Sequence, residues 1–309
     1  MMRKAFSDAL LRIAQSNPNV LLLTGDHGYA LFDDLRRHCP DQYINAGIAE
    51  QNMVGMAAGL ARTGFRPFVY GLSAFIPIRV VEQIKLDVAH DNLPVVFIGD
   101  GAGFVYSHLG TSHQSIEDIA CVRAIPNIHI YSPSDQFETT QCMNWAYENH
   151  NTCYLRLGKS DLGDVHNTPL SSKSGSLLPV TINDCADFAF IATGSLVLAA
   201  KNIAQKYFPQ ASVWSAPSLK PIDVEQVVSI CRSHQIIVVL EEHSIYGGLG
   251  GIISEISCEI MPRKILRIGV RDRFSKKCGS YAYLLREHGL DEKSILDEIR
   301  RYISSNENT

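Results

Sequence analysis

The feature that most constrains this chain is an alternation repeated along its length. Short apolar runs are followed by stretches whose apolar residues recur at helical spacing. Phe6, Leu10 and Ile13 share one helical face, and Asn17-Pro18 ends it. Residues 20–24, Val-Leu-Leu-Leu-Thr, form a continuous apolar run of the kind covered on both faces of a parallel sheet. Further strands are expected at 68–70, 95–98, 128–131 and 153–157, with helices over 51–62, 80–90 and 116–123 between them. Ser132-Pro133-Ser134-Asp135 reads as the start of another helix, with Ser132 as its cap and proline in the first turn. A second series follows: strands at 188–192, 211–214, 236–240 and 264–268, and helices at 196–207, 223–231, 248–260, 280–288 and 292–303, the last capped by Asp291. Strands alternating with helices imply an α/β fold of two domains, each a mostly parallel sheet flanked by helices with right-handed crossovers.

Residues 158–183 break the rhythm with Gly158, Gly163, Pro169, Gly175, Pro179 and several serines. This is the composition of an interdomain linker with room for one short strand. The expected division is 1–165, a linker over 166–183, and 184–309. The chain carries 28 Lys and Arg against 32 Asp and Glu, a net charge of −4, which leaves no general basic field for nucleic acid or an anionic membrane. No apolar run approaches the roughly 18–20 residues of a spanning helix, and residues 1–6 have no apolar core behind them that would make a secretion signal. Eight scattered cysteines form no CxxC pair and no zinc spacing, and read as the reduced thiols of a cytoplasmic protein.

Three clusters carry chemistry. In Asn45-Ala46-Gly47-Ile48-Ala49-Glu50-Gln51-Asn52, Glu50 stands where a strand-like stretch gives way to a helix. It is either a first-turn acid favoured by the helix dipole or a partly buried carboxylate that binds a ligand. In Gly110-Thr111-Ser112-His113-Gln114, His113 lies in a loop and is either an acid/base group or a surface residue. The run Glu241-Glu242-His243 with Gly247, Gly248, Gly250 and Gly251 opens a helix that either offers N–H groups to an anion or packs closely on its sheet. Gly99-Asp100-Gly101 with Asn127 mimics a diphosphate–Mg²⁺ motif, but Ile128 and His129 follow where a hard cation needs more oxygen. No metal site is expected in this chain.

Taken in order, these segments resemble the C-terminal half of a transketolase. Gly47-Ile48-Ala49-Glu50-Gln51, Gly110-Thr111-Ser112-His113-Gln114, Ile125-Pro126-Asn127, Pro221-Ile222-Asp223, Glu241-Glu242-His243-Ser244 and the tail from Asp272 to Leu290 all recur in that family. The resemblance implies a thiamine diphosphate-binding pyrimidine domain followed by a transketolase C-terminal-like domain. It further implies that Mg²⁺ and the cofactor's diphosphate are held by a separate N-terminal subunit, giving an α₂β₂ assembly that acts on small sugars. By the same resemblance Glu50 hydrogen-bonds N1′ of the aminopyrimidine, Phe75 (or, with a one-residue shift, Ile76) stacks on it, and Asp26 lies beside the cofactor. Gln51 supports Glu50 or caps the helix. His113 sits near the substrate oxygen, and Arg3, Arg156, His27 and His108 are the substrate-binding positions. A charged Arg156 ending a buried strand requires a ligand or an acid partner.

Departures from the family pattern bear on the substrate. Ala30 stands where transketolases commonly have a phosphate-binding serine, Leu109 where an aspartate reads the acceptor hydroxyl, Gly101 where a histidine lies near the donor, and His108 where an acid precedes Leu109. Losing such hydrogen bonds removes most discrimination for a hydroxyl, so a less hydroxylated, unphosphorylated or modified sugar is expected. Two alternatives have separate signatures. A deoxyxylulose-phosphate-synthase-like or 2-oxo acid decarboxylating acyl transferase would release CO₂ from pyruvate. A non-catalytic assembly subunit would be indifferent to Glu50.

Overall fold

The computed structural model describes residues 2–183 and 188–307. The first strands are β1 (Val20–Thr24), β2 (Tyr43–Asn45), β3 (Arg66–Leu72), β4 (Val96–Asp100), β5 (Ile128–Tyr131) and β6 (Thr152–Leu157). They lie parallel in the order β5-β6-β4-β3-β1-β2. The second series is β7 (Leu178–Thr181), β8 (Phe188–Ala192), β9 (Ser212–Ser215), β10 (Ser218–Lys220), β11 (Ile236–Ser244) and β12 (Lys264–Val270). Its sheet runs β12-β11-β8-β9-β7, parallel except for the edge strand β7. The two-sheet α/β architecture is therefore the one the alternation implied. The short strand allowed within the linker is β7. The expected start of the second domain at 184 falls outside the described residues, as does Cys185.

Two strands escaped the sequence reading. β2 is too short and polar to show as an apolar run. β10 leaves the second half of the chain to pair antiparallel with β5 at the edge of the first sheet, a long-range partnership with no local signal.

The helices are α1 (Met2–Ser16), α2 (Asp33–His38), α3 (Glu50–Arg62), α4 (Val81–Gln83), α5 (Asp118–Arg123), α6 (Gln136–Glu148), α7 (Leu196–Tyr207), α8 (Val224–Ser233), α9 (Leu249–Ile260), α10 (Tyr281–His288) and α11 (Glu292–Glu307). α4 continues as a π-helical turn, Ile84–Ala89, so the helix expected over 80–90 is not uniform. The cap of α6 is Asp135, three residues after Ser132: its carboxylate accepts from Glu138 N, and Glu138 reaches back to Ser134 N. A carboxylate at the cap position with glutamate three residues on forms a reciprocal capping box, which outcompetes the Ser-Pro start. Ile76, Val69, Phe97, Met53 and Ala57 meet in one apolar core between the first sheet and α3, and Phe6, Leu22, Phe68 and Trp145 in another across the sheet. Among the described residues no helix is long and apolar enough to cross a membrane, and the seven described cysteines are all free.

Candidate active site

In an open parallel sheet the loops at the carboxyl ends of the strands part where the strand order reverses. In the first sheet β1 leads outward to β2, while β3 and β4 build the other way. The loops after β1 and β3 accordingly border a cavity of about 150 Å³, lined by Gly25, Asp26 and His27 after β1 and by Tyr70, Gly71, Leu72 and Phe75 of and after β3. Ile48, Glu50 and Met53 close it from the start of α3. Glu50 is the first residue of that helix, Ala49 is its cap residue, and no side chain caps it. The Glu50 side chain is only 14% exposed, and Arg79 Nη1 donates to both its oxygens at 3.0 Å.

The sequence-derived residues fall in several places. Phe75 lines the cavity, whereas Ile76 is fully buried in the core. His113 meets Phe75 edge-on at 5.4 Å between ring centroids, and its Nδ1 bonds the Ser112 hydroxyl at 3.0 Å. Asp26 is exposed at the rim, and Gln51 is exposed on the first turn of α3. His27 borders both this cavity and a wider cleft of about 590 Å³ lined by Arg3, Lys4, Ser7, Tyr106 and Ser160. Its Nε2 is buried without a partner, so the ring has a polar edge still to be satisfied. Arg3 Nη2 donates to Asp100 at 2.8 Å and to the Tyr70 hydroxyl at 3.3 Å. His108 is exposed on the turn Ser107–Leu109 and borders neither space.

Arg156 has the acid partner that was one of its two expected alternatives. Its side chain is buried, Nε donates to Asp118 at 2.7 Å, and Nη2 donates to the carbonyls of Glu242 and Ser115. Asp118 also accepts from the Tyr154 hydroxyl. A buried guanidinium needs a carboxylate partner, and here the fold supplies one. The glycine-rich run also finds an internal anion. Glu241 accepts from Leu249 N and Gly250 N, and a Cβ on Gly248 would lie 2.0 Å from its carboxylate. Burial pushes Glu241 up to about 7 and His243 down to about 4. Asp100 and Asn127 lie at opposite ends of their parallel strands, Asp100 taken by Arg3 and Tyr106 and Asn127 donating to the Ala89 carbonyl.

Sequence reasoning missed Arg79, Tyr106, Lys4 and Ser160. Tyr106 explains Gly101: its ring fills the space where any side chain at 101 would go, 2.0 Å from a Cβ there. Arg79 carried one signal, its spacing of four residues from Phe75, which on a helical turn puts both side chains on one side.

Fold and site together define an α/β protein whose parallel sheet presents a carboxylate beside an aromatic face at its switch point. Residues 1–164 match the transketolase pyrimidine binding domain and residues 181–295 the transketolase C-terminal domain. The chain is 34% identical to the putative transketolase C-terminal section of Methanocaldococcus jannaschii, covering 96% of this chain and 95% of that one. It is 32% identical to an apulose-4-phosphate transketolase subunit of Phocaeicola vulgatus, covering 95% and 94%. A split gene transketolase solved as an inactive β4 tetramer superposes with a TM-score of 0.87 at 30% identity, covering 97% of each chain. The chain belongs to the transketolase family, in its split form. Membership implies dependence on thiamine diphosphate and on a separate partner subunit.

Proposed function

We propose that this chain is the β subunit of a thiamine diphosphate-dependent transketolase that moves a two-carbon ketol unit between sugars or modified sugars. The observation that carries the reading is the cavity in which Glu50 and Phe75 converge. A carboxylate beside an aromatic face, with Ile48, Met53 and Leu72 around them, fits an aminopyrimidine ring. The same surroundings do not fit the charged half of the cofactor. Among the described residues no three His, Cys, Asp or Glu cluster as metal ligands. In the same proposal Mg²⁺ and the diphosphate are held by the partner, in an α₂β₂ cytoplasmic enzyme. The division at 1–165, 166–183 and 184–309 belongs to the same proposal.

When bound, thiamine diphosphate supplies an electron sink for cleaving the bond beside a ketone. Glu50 accepts a hydrogen bond at the ring nitrogen and stabilises the charge gathered there. Phe75 holds the ring face, with Asp26 and Gln51 at the rim. His113, set against Phe75, moves a proton at the substrate oxygen. His27 separates the ring cavity from the sugar cleft and offers its unpartnered Nε2 to a hydroxyl. Arg3 lines that cleft, and His108 contributes from the adjacent loop once the partner is present.

Both cations of the cleft already face carboxylates, Arg3 at Asp100 and Lys4 at Asp8. This supports a sugar recognised through hydroxyls more than through a phosphate. The test is reconstitution with the diphosphate-binding subunit and assay of phosphorylated and unphosphorylated ketoses. Cofactor-dependent ketol transfer that disappears in Glu50→Gln is expected. Transfer unaffected by that substitution overturns the reading, and a preference for pentose phosphates over all other pairs overturns the substrate class.

A further inference from the structure

Arg79 sits on the turn Ile78–Val80, and its N–H donates to the Phe75 carbonyl at 3.1 Å, so its side chain rises on the same side as Phe75. There the guanidinium does two things at once. Nη1 spans both oxygens of Glu50 at 3.0 Å, and Cζ lies 4.0 Å from the centre of the Phe75 ring. Guanidinium is planar, carries in-plane donors and stacks on aromatic faces. These are the features by which an aminopyrimidine would engage the same two residues. The Arg79 side chain is 47% exposed, so it enters from the solvent rim. We infer that Arg79 competes with the ring for two walls of its cavity: it holds Glu50 and the face of Phe75, and ring binding weakens that hold. The inference rests on the cofactor reading above.

The competition follows from the contacts. With Nη1 across both carboxylate oxygens, a further in-plane donor shares an acceptor whose charge is already partly matched. The guanidinium gives the Glu50 carboxylate its counter-charge from the solvent rim, outside the cavity lining.

The experiment measures binding of 4-amino-5-hydroxymethyl-2-methylpyrimidine, the ring half of thiamine, to the full chain, alone and with the diphosphate-binding partner. Wild type, Arg79→Ala, Arg79→Lys and Glu50→Gln are compared at low and high salt. Arg79→Ala is expected to bind about threefold to tenfold tighter, the range given by losing a rim ion pair and a cation–π contact. Wild type gains affinity as salt screens the pair, Arg79→Ala does not, and Arg79→Lys lies between. Equal or weaker binding by Arg79→Ala overturns the inference, as does failure of both chains to bind, since removing the competitor must strengthen binding. Binding that is indifferent to Glu50→Gln in every chain instead overturns the cofactor reading.

Discussion

In the first sheet the strand order reverses between β1 and β3, and the loops leaving those strands part around Glu50. In the second it reverses between β8 and β11, and Glu242 of β11 is enclosed there by the loop after β8, α10 and the segment after β4. Glu242 accepts from the Ser195 and Tyr281 hydroxyls and from Phe104 N, the last reaching across from the first half of the chain. Beside it Glu241 caps α9, and the Glu242 carbonyl takes Arg156. The same architectural crevice thus holds a carboxylate twice. One is left with a partner at the solvent rim, and the other is enclosed by donors the fold itself provides. A switch point is only an opportunity for a ligand; whether it is used depends on what the neighbouring loops leave unsatisfied.

The sharpest way to break this comparison is to remove each charge in turn. Glu50→Gln is expected to lower turnover of the reconstituted enzyme by about 10²–10⁴-fold, the usual range for a group managing a proton in the transition state, with the melting temperature little changed. Near-normal turnover would make the open crevice structural too. Asp118→Asn acts on the enclosed side. It strips the acid from Arg156, whose side chain is 2% exposed, and should cost about 3–5 kcal/mol of stability, as uncompensated buried charges do. Denaturant unfolding measures it. If the variant instead kept its stability and raised the KM for the sugar, Arg156 would be a ligand residue after all.

How much of this could be read in the sequence divides along the same line. α7 runs Leu196–Tyr207 and β1 Val20–Thr24, where expected, because helical period and continuous apolar runs are local signals fixed by burial on one side or on both. Glu50 was legible as a carboxylate at a strand-to-helix junction. Arg156 was legible only as a charge in need of a partner; that the partner is Asp118 depends on β4, β6 and α5 coming together. β10 and the Phe104–Glu242 bond are also products of tertiary assembly. Arg79 was overlooked because a single arginine within an apolar run carries no local sign of its partner, and only the fold shows it lying over Phe75.

The enclosed crevice should also have a pH signature. Glu241 has its folded pKa raised to about 7 by burial, so its contribution is fully present below the ordinary value of 4.5 and is lost as pH rises through about 7. His243 is depressed to about 4 by burial, so its contribution is present above 6.5 and is lost as pH falls through about 4. Each effect is on the order of 3 kcal/mol, and over the shared window the slopes oppose. The contributions of these two groups therefore largely cancel there. His243→Gln should lose stability relative to wild type as pH rises from about 4 to 6.5, on top of any constant offset. Parallel unfolding curves across that window would show that the two groups do not titrate as their burial dictates.

The smallest change sharpens the contrast most cleanly. Tyr281→Phe removes one of three donors from Glu242 and leaves the ring, so the lost bond to a charged acceptor should cost about 1–3 kcal/mol. Because the other two donors and the packing remain, the fold should survive and the melting temperature should drop by a few degrees. Affinity for the aminopyrimidine probe should stay at the wild-type value, since Tyr281 borders neither the ring cavity nor the sugar cleft. A loss of probe affinity larger than the loss of folded protein would mean that the second crevice feeds back on the first, and that Glu242 is part of the site and not only of the scaffold beneath it.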